Sequence, residues 1–315
     1  MTRPLRIGYF GLPLGSVLLA ADGHRIEWAV LSPLPQPGRR RLRHHVDSER
    51  VIDLMDEEWV GASWQTAVSE LLAAHPCDLI VSWFFTRRIL GEWIARAPLG
   101  GIGAHPSLLP KYRGPDPFYA VIDAGESATG VTVHRLTDEY DTGKMLLKVS
   151  IPVGERNAWQ LARALDRPSL SALREVTRAF AQGRPPREQD QNEEQATYAP
   201  QPKGEALRVD WTWPTDRVLR RIRALSPVPG LALVLGGEPF LVISAEPCRD
   251  FPRSLLPGEA YLGDRLVLRT GDGAISVERA ALDDGNEDEE LVTYSGSALA
   301  AYLRANEKSS QSIEF

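Results

Sequence analysis

The residues best suited to acid–base chemistry form one dense segment and one short turn. The segment is His105-Pro106-Ser107-Leu108-Leu109-Pro110-Lys111-Tyr112-Arg113-Gly114-Pro115, and Asp141-Thr142-Gly143 begins 36 positions after its histidine. A histidine, with an ordinary pKa of about 6.5, can carry a proton either way at neutral pH when a carboxylate positions it. The spacing alone leaves two interpretations open: a proton-transfer pair, or a buried strand-end histidine and an aspartate that forms a turn.

The surrounding pattern predicts an α/β domain that would position this pair. Strands and helices alternate along the first half, which is typical of a doubly wound, mainly parallel sheet. Such sheets place ligands at the carboxyl ends of their strands, where the His105 segment begins. The predicted strands are Leu5–Phe10, Ile26–Leu31, Asp78–Phe84, Gly101–His105, Gly130–Leu136 and Met145–Ile151, and a helix over 158–182 is expected to break at Pro168 because proline lacks an amide proton.

The second half predicts a different, smaller domain. Residues 183–204 are rich in Pro, Gln, Glu and Asp and are interpreted as a linker. A helix over Thr215–Leu225 precedes short strands separated by Gly-Gly, Gly-Asp and Asp-Gly turns, a pattern that fits a small β-barrel or sandwich. We therefore expect a catalytic domain over 1–182, a linker over 183–204 and a β-barrel-like domain over 205–315.

Composition excludes several classes of protein. The 315 residues carry 36 basic and 42 acidic side chains, so the net charge is -6, and the two cysteines match no metal-ligand spacing. No uncharged apolar run approaches the roughly 18–20 residues of a membrane span, and the first residues lack a signal-peptide pattern. These features predict a cytoplasmic protein that binds no metal.

Three ordered motifs resemble the folate-dependent N-formyltransferases, a family that includes methionyl-tRNA formyltransferase and the amino-sugar formyltransferases. They are the segment 105–114, Thr129-Gly130-Val131-Thr132-Val133-His134-Arg135-Leu136, and Asp141-Thr142-Gly143. The resemblance extends from Gly11-Leu12-Pro13 to Pro227-Val228-Pro229-Gly230 and so covers most of the chain. It implies a Rossmann-like domain that transfers the formyl group of 10-formyltetrahydrofolate to a primary amine.

The resemblance also implies residue roles, with one departure. His105 matches the family histidine that holds the developing oxyanion, and Asp141 matches the aspartate that supports proton transfer. The family asparagine lies two positions before the histidine, where this chain has Gly103. Losing one such donor typically costs about 10²–10³ in rate. Another donor could fill the vacancy, the acceptor or reaction could differ, or the protein could bind folate without transferring formyl.

The family's folate site implies two loops here, at 83–90 and 137–142. The candidate cofactor-binding residues are Trp83, Phe84, Phe85, Arg87, Arg88, Ile89, Leu90, Thr137, Asp138 and Tyr140. The aromatic run could border the pterin, and an arginine could meet the glutamate tail. The alternative is that Phe84 belongs to the core and the arginines cap a helix.

The candidate substrate and loop residues are Ser107, Leu108, Leu109, Pro110, Arg113 and Gly114. Ordering of the loop is the favoured role for Arg113, with contact to an anionic acceptor as the alternative. His134 lies in an alternating strand and is assigned no role.

Charge distribution favours a small-molecule amine as the acceptor over tRNA. The amines considered are an amino sugar, with or without a linked nucleotide, and a carrier-bound amino acid. Residues 1–204 hold 24 basic and 24 acidic side chains, so residues 205–315 carry the whole net charge of -6. An acidic run, Asp283, Asp284, Glu287, Asp288, Glu289 and Glu290, would repel phosphates. The basic run Arg39–Arg43 keeps initiator tRNA as the second hypothesis, although a solvated loop is the favoured interpretation of this run. A non-catalytic folate or nucleotide binder, suggested by Gly103, is the third.

Overall fold

A computed structural model describes residues 3–35, 38–56, 59, 63–235, 237–282 and 292–305. The chain divides into two compact units. The first comprises Met1–Pro117, Ala128–Pro152 and Arg163–Ala199, and the second comprises Phe118–Ser127, Val153–Ala162 and Pro200–Phe315. The predicted domain boundaries stay a prediction.

The first unit contains a seven-stranded sheet in the order β3-β2-β1-β4-β5-β6-β7. The first five strands pair in parallel, and β6 and β7 are added antiparallel at one edge. The strands are β1 (Arg6–Gly11), β2 (Arg25–Leu31), β3 (Val51–Asp53), β4 (Leu79–Trp83), β5 (Gly101–His105), β6 (Ala128–Arg135) and β7 (Met145–Pro152). This mixed, mainly parallel α/β architecture confirms the predicted fold class.

Burial on both faces explains the near-continuous apolar character of the central strands. Alternate residues enter separate core clusters: Tyr9 lies in one and Phe10 in the other, and Leu79 and Ile80 divide in the same way. A parallel sheet covered on both faces is expected to show this pattern. The covering helices include α1 (Pro13–Ala21) and α6 (Ala158–Ala181) on one side, and α3 (Ser63–Ala74) and α4 (Gly91–Ile94) on the other.

Two local predictions were wrong. Helix α6 continues through Pro168, where a break was expected. Leu165, Leu170 and Leu173 are buried on either side of the proline, so packing compensates for the lost hydrogen bond. The basic run expected to be a loop forms a short helix, α2 (Arg39–Leu42), whose Leu42 is buried while Arg39 pairs with Asp53.

The second unit is built on an antiparallel sheet with helices α5 (Pro117–Asp123), α7 (Thr215–Leu225) and α8 (Gly296–Ala305). The sheet order is β10-β11-β12-β9-β8, with β13 pairing β12, a curled sheet that confirms the predicted β-rich second fold. The strands are β8 (Leu231–Leu235), β9 (Glu238–Cys248), β10 (Ala260–Leu262), β11 (Leu266–Arg269), β12 (Ala274–Leu282) and β13 (Thr293–Ser295). The acidic run between 283 and 290 lies outside the described residues.

A buried ion cluster links α5 to α7 within this unit. Asp123 accepts hydrogen bonds from Arg217 and Arg221, and the Arg221 side chain is only 7% exposed. Burial raises the pKa of Asp123, but the hydrogen bonds from Arg217 and Arg221 outweigh it, so the pKa lies below its ordinary value.

Among the described residues, no helix has both the length and the apolar character to cross a bilayer.

Candidate active site

His105 is the last residue of β5, and its position places it at the carboxyl end of the parallel part of the sheet. Its side chain is 6% exposed. The ring Nε2 lies 2.7 Å from the backbone oxygen of Tyr112, and because a carbonyl only accepts, Nε2 carries the proton of that hydrogen bond. The other ring nitrogen, Nδ1, faces Asp141 Oδ2 at 3.4 Å. The two predicted residues therefore meet.

Asp141 is held in place by backbone geometry as well as by its neighbours. Its φ of 58° lies in the left-handed region, which Asp tolerates better than most residues. The backbone amide of Gly114 donates to Oδ2 at 2.9 Å, and Oδ1 lies 3.5 Å from His134 Nε2. The carboxylate thus lies between two imidazole rings, with one oxygen facing each of them.

His134 is a functional candidate that the sequence interpretation missed. Its side chain is 5% exposed, and its Nδ1 donates to the backbone oxygen of Arg135 at 2.8 Å. Burial lowers the pKa of His134, while the nearby Asp141 raises it and His105 lowers it further. The net lowering favours the neutral ring. No sequence signal beyond its place in an alternating strand identified it.

Gly103 lies directly opposite His134 in the antiparallel pairing of β5 with β6. A Cβ atom placed on Gly103 would lie 2.9 Å from Leu136 Cδ2 and 3.7 Å from His134 Nε2. The end of the flexible Leu136 side chain therefore takes up part of the volume that a larger residue would need.

The loop after β5 is pinned to β6. Ser107 Oγ donates to the Lys111 backbone oxygen at 2.6 Å, and Thr132 Oγ1 donates to the Ser107 backbone oxygen at 2.8 Å. Thr132 Oγ1 also accepts from the Leu109 amide at 3.0 Å. Leu109 and Pro110 are buried and Leu108 is half-buried. These contacts make the loop a rigid support for His105.

A returning segment, residues 189–199, fastens the same loop from the other side; we call it the strap. Arg113 donates to Gln191 Oε1 at 2.8 and 3.0 Å and to the Glu193 carboxylate. Gln191 Nε2 in turn donates to the backbone oxygens of Asp141 and Gly143. The Tyr112 amide donates to Thr197 Oγ1 at 2.8 Å. Arg113 therefore orders the loop, and Gln191 joins it to the aspartate turn.

The aromatic run after β4 divides between core and surface. Trp83 is 2% exposed, and Phe85 packs against Phe10 and Trp64 with ring centroids 5.0 and 6.0 Å apart. Phe84 is half-buried and has a φ of 53°, a conformation uncommon outside glycine. The chain therefore turns at Phe84, just after β4, where the Phe84 backbone oxygen accepts a hydrogen bond from Ser32 Oγ.

The two loops assigned to folate contact each other through Arg88 and Asp138. Arg88 Nε donates to the Asp138 backbone oxygen at 2.9 Å, and the Asp138 carboxylate accepts from the Gly91 amide at 2.8 Å, at the start of α4. Arg87 lies over the Trp64 ring, with Cζ 5.6 Å from the centroid. The helix is thus capped by an aspartate and not by an arginine.

The remaining candidates differ in exposure. Ile89 is 8% exposed and Leu90 is half-buried, so both pack against the core. Tyr140 is 53% exposed, and Thr137 Oγ1 donates to the Glu139 backbone oxygen at 2.9 Å. Across the described part of the chain, no cluster of three or more His, Cys, Asp or Glu side chains could hold a metal ion.

Comparison with known proteins covers both units. Residues 29–176 match the formyl transferase family model, and residues 203–289 match the model of the formyl transferase C-terminal domain. The chain is 33% identical over 296 residues to methionyl-tRNA formyltransferase of Variovorax paradoxus, covering 88% of each chain. It is 37% identical over 279 residues to the enzyme of the same name from Acidiphilium cryptum, covering 86% of this chain and 90% of that one.

Solved structures show that the fold is shared more widely. HypX from Aquifex aeolicus, in complex with tetrahydrofolic acid, superposes with a TM-score of 0.65 at 20% identity over 95% of this chain, which spans 47% of HypX. The N-formyltransferase of Helicobacter canadensis, in complex with folinic acid and dTDP-3-aminofucose, gives a TM-score of 0.65 at 14% identity, covering 87% of this chain and 98% of that one. On the strength of its matched family models and full-length relatives, this chain belongs to the formyl transferase family.

Proposed function

We propose that this protein transfers the formyl group of 10-formyltetrahydrofolate to a primary amine. The observation that carries the proposal is the meeting of His105 and Asp141, 3.4 Å apart at the carboxyl end of β5, within the motifs that resemble the N-formyltransferases. A histidine held by a carboxylate can keep a proton beside the charge that develops on a formyl oxygen. Asp141, which accepts a hydrogen bond from the Gly114 amide, orients the ring from its Nδ1 side.

The two facing loops support folate as the formyl donor. Arg88 and Asp138 join the loops at 83–90 and 137–142, which are the two loops that the family resemblance assigns to folate, and residues 137–140 are exposed. Because Arg88 is engaged with Asp138, Arg87 is the better candidate for a folate carboxylate. The solved structures named above hold tetrahydrofolic or folinic acid, which supports the same assignment.

For the acceptor, we propose a small-molecule amine such as an amino sugar. The absence of net positive charge over residues 1–204 and the acidic charge of residues 205–315 support it, since a polyanion would gain little from either part. The complex of the Helicobacter canadensis N-formyltransferase with dTDP-3-aminofucose, an amino sugar linked to a nucleotide, is consistent with this proposal.

Methionyl-tRNA is the second candidate, and a specific surface favours it. Arg40, Arg41 and Arg43 are exposed on and beside α2, and the sequence relatives named above are methionyl-tRNA formyltransferases. A gel-shift assay with tRNA at low and moderate salt tests this surface, because phosphate contacts weaken as salt rises. If tRNA is the acceptor, the double variant Arg40→Ala, Arg41→Ala should bind more weakly than the control Arg184→Ala, Arg187→Ala, which removes two other exposed arginines.

The activity itself is tested by supplying 10-formyltetrahydrofolate with glucosamine, dTDP-3-aminofucose or methionyl-tRNA. We expect tetrahydrofolate release and a formylated product with one of these acceptors. His105→Asn should reduce turnover by at least about 10²-fold, whereas His24→Asn, which changes a histidine away from the site, should leave it unchanged. Thermal stabilisation by tetrahydrofolate without turnover would overturn the catalytic proposal in favour of a folate-binding protein.

A further inference from the structure

His134 and Gly103 form a cross-strand pair. This pairing determines which side chains lie beside the reacting atoms. Residues directly opposite each other in an antiparallel pair project from the same face of the sheet, as do residues two apart on one strand. Gly103 therefore shares a face with His105 on its own strand and with His134 on the next. The family's amide side chain would project from this face at position 103, in front of His134 Nε2, which lies 3.7 Å from the Cβ position.

The state of the His134 ring is fixed by its second nitrogen. Nδ1 donates to the backbone oxygen of Arg135, so a neutral ring carries a lone pair on Nε2. That nitrogen faces the Gly103 position and lies 3.5 Å from Asp141 Oδ1. The groups that bias its protonation are Asp141, which favours the charged ring, and His105 and Arg113, which oppose it. Nε2 is thus a buried, unprotonated base with a carboxylate beside it.

We infer that His134 is a second catalytic histidine: its Nε2 accepts the proton that the attacking amine releases, and the resulting imidazolium stabilises the formyl oxyanion in place of the side chain that Gly103 lacks. This inference rests on the proposed formyl transfer and deepens it. It assigns a function to a buried titratable group that the His105 and Asp141 pair leaves unused.

The transfer balances with these groups alone. The amine nitrogen forms a bond to the formyl carbon, the carbonyl π electrons move to oxygen, and one amine proton passes to His134 Nε2. The oxyanion then re-forms the carbonyl, the bond between the formyl carbon and N10 of the folate breaks, and N10 takes the proton from the imidazolium. His134 returns to its neutral state, and Asp141 keeps its charge beside the ring throughout.

Two substitutions of His134 distinguish the roles of its two ring nitrogens. His134→Asn retains a donor near the Nδ1 position, which keeps the hydrogen bond to Arg135, but loses Nε2. His134→Gln places a neutral amide near Nε2, which keeps a donor but removes the base. Gly103→Asn restores the family's amide on the opposite strand, and the double variant Gly103→Asn, His134→Asn tests whether the two positions exchange one function. His24→Asn is the matched control.

We expect His134→Asn to lower kcat by about 10²–10³ while the KM for 10-formyltetrahydrofolate changes less than about threefold. The double variant should regain at least about tenfold, because a donor faces the oxyanion again. In the wild-type protein kcat should fall as the pH drops through the pKa of His134, which forms the acidic limb of the pH profile. The His134→Gln variant should lack this decrease. Turnover is measured with the most active of glucosamine, dTDP-3-aminofucose and methionyl-tRNA, and circular dichroism monitors folding.

Each outcome of these experiments either supports or overturns the catalytic role of His134. A His134→Asn variant within threefold of wild type, or one that is folded and inactive without recovery in the double variant, overturns the role of His134 but leaves formyl transfer standing. If the asparagine variants fail to fold, a His134→Gln protein that keeps the acidic limb overturns it. If the wild-type protein turns over with none of the three acceptors, the proposed function and this inference fall together.

Discussion

Replacing Asp141 by asparagine removes the negative charge at the centre of the site and keeps the size and shape of the side chain. Asparagine tolerates the left-handed conformation that Asp141 adopts at a φ of 58°, and its side-chain oxygen can still accept from the Gly114 amide. The fold should therefore survive the change. What is lost is the negative charge 3.4 Å from His105 Nδ1 and 3.5 Å from His134 Nε2.

The distances set the size of the effect. Opposite unit charges 3.5 Å apart interact by about 5 kcal/mol at an effective dielectric constant of about 20. Asp141 is 16% exposed, so solvent reduces this value, and we take about 3–4 kcal/mol as the lost stabilisation of a protonated imidazole. At about 1.4 kcal/mol per factor of ten, kcat should fall by about 10²–10³.

Three measurements test Asp141→Asn. The first is kcat with the acceptor that the wild-type protein uses, and the second is the melting temperature, which should change by no more than a few degrees. The third is the pKa of His134 from ring nitrogen chemical shifts, which should fall because the carboxylate raises it in the native protein. Asp190→Asn, at an exposed position, is the control. Turnover within threefold of wild type, or a rise in the His134 pKa, would refute the reasoning.

Three further predictions concern stability and order. Asp123→Asn should lower the free energy of unfolding by about 3–5 kcal/mol, because it leaves the charge of the buried Arg221 without a partner carboxylate. The control Asp190→Asn should lower the same free energy by less than about 1 kcal/mol. Chemical denaturation measures both values. Because the pKa of Asp123 is lowered in the folded protein, its contribution is complete above the ordinary value of 3.8 and disappears as the pH falls through the folded value, so the difference between wild type and Asp123→Asn should narrow in acid. Gln191→Ala should reduce kcat by about tenfold and increase proteolysis near Arg113, with unchanged proteolysis as the contradicting result.

Much of the fold followed from local patterns. The strands that lead to the site have continuous apolar runs, and the rule that ligands gather at the carboxyl ends of parallel strands placed His105 at such an edge. The structure adds that Asp141 reaches His105 across the antiparallel edge, through the loop that joins β6 to β7. That contact required tertiary information, although the resemblance of the motifs anticipated it.

What escaped prediction depends on register and on packing between distant residues. Alternation in β6 shows that His134 is buried but not that Gly103 lies opposite, because the pairing of two strands is a tertiary property. The strap has the composition of a linker, and only the side-chain hydrogen bonds of Gln191 reveal its contact with the site. Pro168 weakens a helix locally, and buried leucines in adjacent turns decide the outcome.

The strap has a consequence for the order in which the candidate site is assembled during synthesis. Its bonds to the loop after β5 join residues 78 to 85 positions apart, from Arg113 to Gln191 and from Tyr112 to Thr197. A nascent chain that has reached Ala181 holds all seven strands of the first sheet, and with them Thr132, but none of the strap residues that bind the loop from the other side. At about 5–20 residues per second, the rest follows within a few seconds. The sheet that carries His105 and His134 can therefore form on the ribosome before the strap completes the hydrogen bonds of the loop.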